Sequence, residues 1–312
     1  TAKANRLTEA IVNANMGNPI SWLNDNENLL VRLLPKNRAA LIDTKKDLPK
    51  GPTVSMSDGS ISQNPTFQDL LKNKADEQNF ETLIMSDIYK ISITGKAEIF
   101  KTSAMYSGVS VSPDGNYILI TTIQKPFSYI VPYYRFPQTS IVYDTKGNEI
   151  KVVNEVPLIE NIPKGFDSAP KGKREMSWRD DKPSTLYYVV ALDEGDKANK
   201  AEFRDEVFLW NAPFTSEATS LFKTQQRFAW IIWGNDKFAI GFDQWYDTRN
   251  LKTYLIDPSV PSEKPKIIYD RNFQDIYSDP GNFETKKNQY GRYVLTMDKD
   301  NAYLIGDGYS KE

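Results

Sequence analysis

Five times along the chain, a run of apolar and aromatic β-formers enters a polar turn and leaves it as a second such run, and this repeat limits the possible folds. The hairpins span Ile20 to Leu34 around Asn24-Asp25-Asn26, Val109 to Ile123 around Ser112-Pro113-Asp114-Gly115, and Met176 to Leu192 around Arg179-Asp180-Asp181. The other two span Ala229 to Phe242 around Gly234-Asn235-Asp236 and Tyr293 to Ile305 around Asp298-Lys299-Asp300. Runs of about 5–8 alternating residues broken by Asp, Asn, Gly and Pro mark strands, and helical periodicity is scarce. The chain reads as all-β.

Most hairpins are followed by two further strands: Ile84 to Ile93 with Ala97 to Phe100, Ser140 to Tyr143 with Glu149 to Val153, Val207 to Trp210 with Ser220 to Lys223, and Lys252 to Ile256 with Lys266 to Tyr269. Four antiparallel strands per unit, each unit burying its faces only against its neighbours, is how a β-propeller is built. The turn aspartates Asp25, Asp114, Asp181, Asp236 and Asp300 recur irregularly, never closer than one blade of roughly 40–50 residues. The expectation is therefore a β-propeller or partial propeller of about five four-stranded blades over residues 1–312. A sandwich made of the same hairpins is the rival, less favoured by the hairpin-plus-hairpin order. Residues 35–80 form an insertion: a Pro-, Gly- and Ser-punctuated loop, then a short helix within Thr66 to Phe80, where Phe67, Leu70 and Leu71 stand at helical spacing. Ala4 to Thr8 reads as the last strand of an earlier unit, and no outer strands follow Ile305, so the blades are expected to form an open arc.

Composition narrows the chemistry. The chain has no His and no Cys, which removes a Ser–His–Asp triad, a His-ligated zinc, a Cys nucleophile and disulfides from what these residues can do alone. No Walker phosphate loop is present, and Gly108-Val109-Ser110-Val111-Ser112 lacks the closing Gly of a nucleophile elbow. A net charge of −2 offers no field for nucleic acid, no apolar run nears the roughly 20 residues of a membrane span, and no cofactor or metal is called for. Asp298, Asp300 and Asp307 read as turn residues, Trp178, Trp230 and Trp233 as packing between sheets, and Lys45-Lys46 and Lys286-Lys287 as solvated charge.

Colinear strings along most of the chain carry a resemblance. They include Thr66-Phe67-Gln68-Asp69-Leu70-Leu71, Asp76-Glu77, Pro126 to Pro132 with Arg135-Phe136-Pro137, Trp178-Arg179, Asp181-Lys182-Pro183, Ala191-Leu192-Asp193, Arg204-Asp205, Ala212-Pro213-Phe214, Thr248-Arg249, Asp270-Arg271 and Tyr277 to Gly281. Together they resemble the glutamyl endopeptidase branch of the prolyl oligopeptidase family of serine peptidases. The resemblance implies an N-terminal β-propeller followed by a C-terminal α/β-hydrolase domain bearing Ser, Asp and His, with this chain stopping before that domain. It implies peptide substrate and the hydrolase domain of the same protein as partners, an extracytoplasmic (periplasmic or secreted) setting, and a role in gating and orienting peptides. A stand-alone propeller binding protein or carbohydrate is the alternative. A carboxylate glycosidase would need two acids converging at about 5–10 Å.

In a four-stranded blade the second-to-third strand loops and the blade-to-blade links share one face. Arg135, Arg204 and Arg249 fall in such loops and Arg174 and Arg271 in such links, so all five are expected on that face, with Arg179 on the other. The loop Gln124 to Gln138 sets Phe127, Tyr129, Tyr133, Tyr134 and Phe136 beside Arg135. A guanidinium meets a carboxylate in a planar two-bond fork, the chemistry that acidic specificity requires. Arg135, Tyr129, Arg204 and Arg249 are the candidate substrate-binding residues. The competing role for each arginine is an ion pair with a neighbouring Asp that pins its loop.

Overall fold

The computed structural model describes residues 4–43, 67–163, 165–261 and 264–309, which leaves Thr66 and Lys45-Lys46 outside the described residues. The chain divides into two units, Thr1–Ser110 with Ile118–Asn161, and Val111–Tyr117 with Ile162–Glu312.

Four sheets have the expected grammar, each an antiparallel meander of four strands in chain order. The first holds β1 (Ile20–Trp22), β2 (Asn28–Leu33), β3 (Ser86–Ser92) and β4 (Ala97–Ala104). The second holds β5 (Tyr106–Val111), β6 (Tyr117–Ile123), β7 (Gln138–Asp144) and β8 (Glu149–Val156). In the second unit β9 (Lys173–Trp178), β10 (Thr185–Ala191), β11 (Asp205–Asn211) and β12 (Thr219–Thr224) form the third sheet. The fourth comprises β13 (Arg227–Trp233), β14 (Ala239–Trp245), β15 (Asn250–Ile256) and β16 (Lys266–Asn272).

Burial explains the strand order. Inner strands such as β2 and β14 are buried on successive residues, because a sheet stacked on both faces has no solvent side, whereas β4 and β8 are largely exposed. In the second unit Val189, Val207, Leu221 and Phe222 of the third sheet pack with Trp233, Ala239, Tyr254 and Ile256 of the fourth. Trp178 and Trp233 are buried, as packing tryptophans should be, while Trp230 stacks on Phe242 with ring centroids 4.3 Å apart. The turns are closed by carboxylates: Asp25 Oδ1 accepts from the Glu27 and Asn28 amides, and Asp144 Oδ1 from those of Lys146 and Asn148.

Four expectations are corrected. The fifth hairpin, expected to pair Tyr293 to Ile305 across its turn, is divided among three two-stranded ladders, β17 (Asn282–Phe283) with β22 (Leu304–Ile305), β18 (Thr285–Lys287) with β19 (Tyr293–Leu295), and β20 (Met297–Asp298) with β21 (Asn301–Ala302). Its apolar residues pack on the fourth sheet instead, through Leu295, Phe283 and Met297. Residues Ala4 to Thr8 hold no strand; Leu7 packs on Leu29, Val31, Leu33 and Ile91, and Val12 makes the bridge to Leu33. The helix α1 runs over Lys74–Ile84, later than expected, because Asp69 has a left-handed φ of 57° and the Asn73 side chain caps the Asp76 amide. Arg174 and Arg271 lie inside β9 and β16 rather than in links.

Among the described residues no helix is long and apolar enough to cross a membrane, and no group of three or more acidic side chains is placed to hold a metal ion.

Candidate functional site

In the first unit, the loop between β6 and β7 closes over α1. Phe127 stacks on Phe136 at 5.2 Å, and Phe80 of α1 meets both edge-on at 5.2 and 5.7 Å. Phe136 and Val131 are buried, with Phe67 and Leu71 packed against the same cluster. This aromatic base fixes a loop with little regular structure. Polar bonds complete the fixing: Ser128 Oγ donates to Glu160 Oε1 at 2.7 Å and accepts from the Ile130 amide at 3.1 Å. The Ile159 amide bonds the Arg135 carbonyl at 3.0 Å, and Tyr133–Arg135 forms one 3-10 turn.

Three cations belong to this loop and helix, and two are paired. Lys125 meets Glu81 at 2.7 Å and Lys74 meets Glu77 at 2.9 Å. Tyr129 hydrogen-bonds Glu77; that bond first, then the one from Lys74, holds the Glu77 carboxyl below its usual range. Arg135 is the exception: its guanidinium lies over the Phe67 ring, 5.0 Å from the centroid, and has no carboxylate partner among the described residues.

The second unit treats its arginines differently. Arg204 Nη1 is 2.7 Å from Asp193 Oδ2 and 2.6 Å from the Asn199 carbonyl, and the guanidinium lies 4.8 Å from the Trp245 ring centre. Arg227 reaches Asp193 Oδ2 at 2.7 Å, Asp205 Oδ1 at 3.1 Å and the Asp167 carbonyl at 2.6 Å. Arg174 pairs with Asp205, whose Oδ2 also accepts from the Phe228 amide. Asp193 and Asp205 side chains are fully buried. Burial pushes the Asp193 carboxyl up, but the bonds from Arg227 and Arg204 outweigh it and hold the carboxyl below its usual range. Arg204 therefore has the carboxylate pairing that the competing role requires.

Arg249 stands at the margin of this network. It has a left-handed φ of 57°, donates to the Tyr246 carbonyl and lies 3.7 Å from the Tyr246 ring centre, with no carboxylate partner among the described residues. Its loop is held from below by Asp167, which accepts from the Tyr246 and Asp247 amides. Tyr129 and Arg135 thus share one loop of the first unit, and Arg204 and Arg249 belong to adjacent loops of the second. Arg179, in the β9–β10 turn, is buried and paired in a two-bond fork with Asp181. It lines a surface cleft of ≈ 400 Å³ with Lys182, Asp236 and Pro258, but Lys182 is itself paired with Asp236. Sequence reasoning missed Arg227 and Asp167. A charged residue opening the apolar run of β13 was the one available signal for Arg227; Asp167, in a loop, had none.

No family model matches the chain. The chain is 36% identical over 293 residues to a probable glutamyl endopeptidase, chloroplastic, of Oryza sativa subsp. japonica, covering 92% of this chain and 31% of the relative. It is likewise 36% identical over 295 residues to the protein of that name from Arabidopsis thaliana, covering 92% of this chain and 30% of the relative. The chain thus spans about a third of the length of these relatives. Among solved structures, Pyrococcus horikoshii acylaminoacyl peptidase aligns over 80% of this chain and 31% of its own, at 14% identity and a TM-score of 0.41.

Proposed function

This chain is a relative of the glutamyl endopeptidases of the prolyl oligopeptidase family, and from that premise we propose that it is the propeller portion of a serine peptidase, admitting and orienting acidic peptides for a C-terminal α/β-hydrolase domain. The four-stranded sheets in chain order support the propeller part of the reading. With no His in its 312 residues, the chain brings no imidazole to activate a hydroxyl, so the chemistry belongs to that other domain. The reading carries with it an extracytoplasmic setting, although the two plant relatives are named as chloroplastic.

One observation carries the substrate-binding role: Arg135 keeps its charge unpaired on a fixed aromatic loop whose other cations are neutralised. Arg249, also without a carboxylate, is the second contact of this reading, with Tyr129 bordering the first and Arg204 holding its own loop. Arg135→Ala in the protein carrying the hydrolase domain should lower kcat/KM on acidic peptides by an amount on the order of 1.5–3 kcal/mol, with little change on neutral ones. Equal losses on both peptide types, or a drop in Tm that accounts for the loss, would assign Arg135 to loop support.

A further inference from the structure

We infer that the Arg135 loop also holds a subsite for a bulky apolar side chain, so that the peptides taken are those in which an acidic residue stands next to an aromatic or branched one. The inference rests on the reading of Arg135 as the carboxylate contact and adds the chemistry of its neighbour. Four side chains of this loop are turned to solvent: Tyr129 is 41% exposed, Ile130 61%, Tyr133 47% and Tyr134 57%. Single exposed apolar residues are ordinary on a protein surface; four within six positions form a patch, and patches mark contact sites.

The patch is presented rather than loose. Tyr133 leans on Phe80 with centroids 6.2 Å apart and meets Tyr134 edge-on at 6.0 Å, so the exposed rings continue the buried stack beneath them. The hydrogen bonds of Ser128, Ile159 and Gln124 hold the backbone at both ends of the loop. Such rings offer large contact area at small entropic cost, since the loop is already ordered before a ligand arrives.

Charge selects the occupant. With Lys74 and Lys125 paired to Glu77 and Glu81, and Glu160 accepting from Ser128 Oγ, Arg135 is the guanidinium of the loop with no carboxylate partner among the described residues, matched by a ligand with one carboxylate among apolar groups. A second copy of the chain docked symmetrically on the same patch would bring two unpaired arginines together, which disfavours self-association through it. An acidic peptide meets both requirements.

The test uses the purified 312-residue chain and four fluorescent peptides alike except at one pair of residues, Phe-Glu, Ala-Glu, Phe-Gln or Ala-Gln, read by anisotropy. Phe-Glu should bind tightest, and Phe→Ala in the peptide should weaken binding about tenfold, the order expected for burying one aromatic side chain. The variant Tyr133→Ala/Tyr134→Ala should lose that tenfold while keeping the Glu-over-Gln preference, and Arg135→Ala should do the reverse. Equal binding of the Phe and Ala peptides to the unaltered chain overturns the apolar subsite and leaves Arg135 standing. A Phe preference without a Glu preference removes the reading of Arg135 and, with it, the claim of acidic neighbours. Binding of none of the four by a chain with a cooperative melt overturns both. Concentration-dependent dimerisation abolished by the double tyrosine variant reassigns the patch to self-contact and overturns the proposal.

Discussion

Arg135 of the first unit and the cluster Arg174, Arg204 and Arg227 of the second differ in how their charge is neutralised. In the second unit Arg174, Arg204 and Arg227 share Asp193 and Asp205, both fully buried, so that each carboxylate serves two guanidiniums. In the first unit Arg135 rests on an aromatic face, while the nearby acids are held by Lys74, Lys125 and Tyr129. A charge removed from water must be paired where it sits, whereas a half-exposed charge can wait for an incoming partner. The same residue type thus builds a scaffold in one place and leaves a free contact in the other.

Deleting one carboxylate of the second unit should break the contrast most visibly. Asp205→Ala would strand Arg174, take one of the two carboxylates of Arg227 and free the Phe228 amide, at a cost of about 3–5 kcal/mol. Arg135→Ala removes one cation–π contact at a half-exposed site and should cost no more than about 1 kcal/mol. Urea unfolding of both variants decides; comparable losses would mean that Arg135 is scaffold too.

A second carboxylate of that unit, Asp243, is buried without a cation. Its Oδ2 accepts from Tyr254 Oη at 2.6 Å and from the Gln226 amide at 2.9 Å, while its Oδ1 and Gln226 Oε1 are buried with no hydrogen-bond partner. Burial pushes the carboxyl up to about 6 from 3.8, against those bonds and Lys252. A raised carboxyl penalises the ionised fold, so this stabilisation is complete below the unfolded value and is lost as pH rises through about 6. Asp193 behaves oppositely, stabilising at neutral pH and losing its contribution as pH falls. Asp243→Asn should therefore gain about 1–3 kcal/mol at pH 8 and almost nothing near pH 4. Denaturant midpoints at the two pH values test it, and a variant less stable at pH 8 would show that Asp243 is paired when ionised.

What the sequence made legible follows the range of the interaction. Strand alternation and turn aspartates such as Asp25 and Asp144 act within a few residues, and the four meanders stand where the pattern puts them. The neighbours Arg204 and Asp205 were visible as a pair in the sequence, yet they do not pair with each other: Asp205 meets Arg174 and Arg227, 31 and 22 residues away, because sheet order sets β9 two strands from β11 and packing sets β13 of the next sheet beside β11. The isolation of Arg135 was equally hidden, since it depends on Glu77 and Glu81 being taken by Lys74 and Lys125. The start of α1 turned on one backbone angle, that of Asp69, which spacing of apolar residues does not report.

The smallest expected effect sharpens the description of the first unit. Tyr129→Phe keeps the exposed ring and removes the hydroxyl bonded to Glu77, so the Glu77 carboxyl should titrate closer to its usual range, a change followed by carbon NMR of that side chain. The sign follows from the linkage: a lowered carboxyl stabilises above its unfolded value, so the loss should be present in full at neutral pH and vanish in acid. Because the hydroxyl is solvent-exposed, the melting temperature should barely move. Lys74 still holds Glu77 at 2.9 and 3.0 Å, so Glu77 should not swing to Arg135, and the preference for acidic peptides should survive. Loss of that preference in Tyr129→Phe, with Arg135 intact, would reveal that the tyrosine hydroxyl keeps Glu77 away from Arg135, and the free charge of the first unit would then be a property of three side chains rather than one.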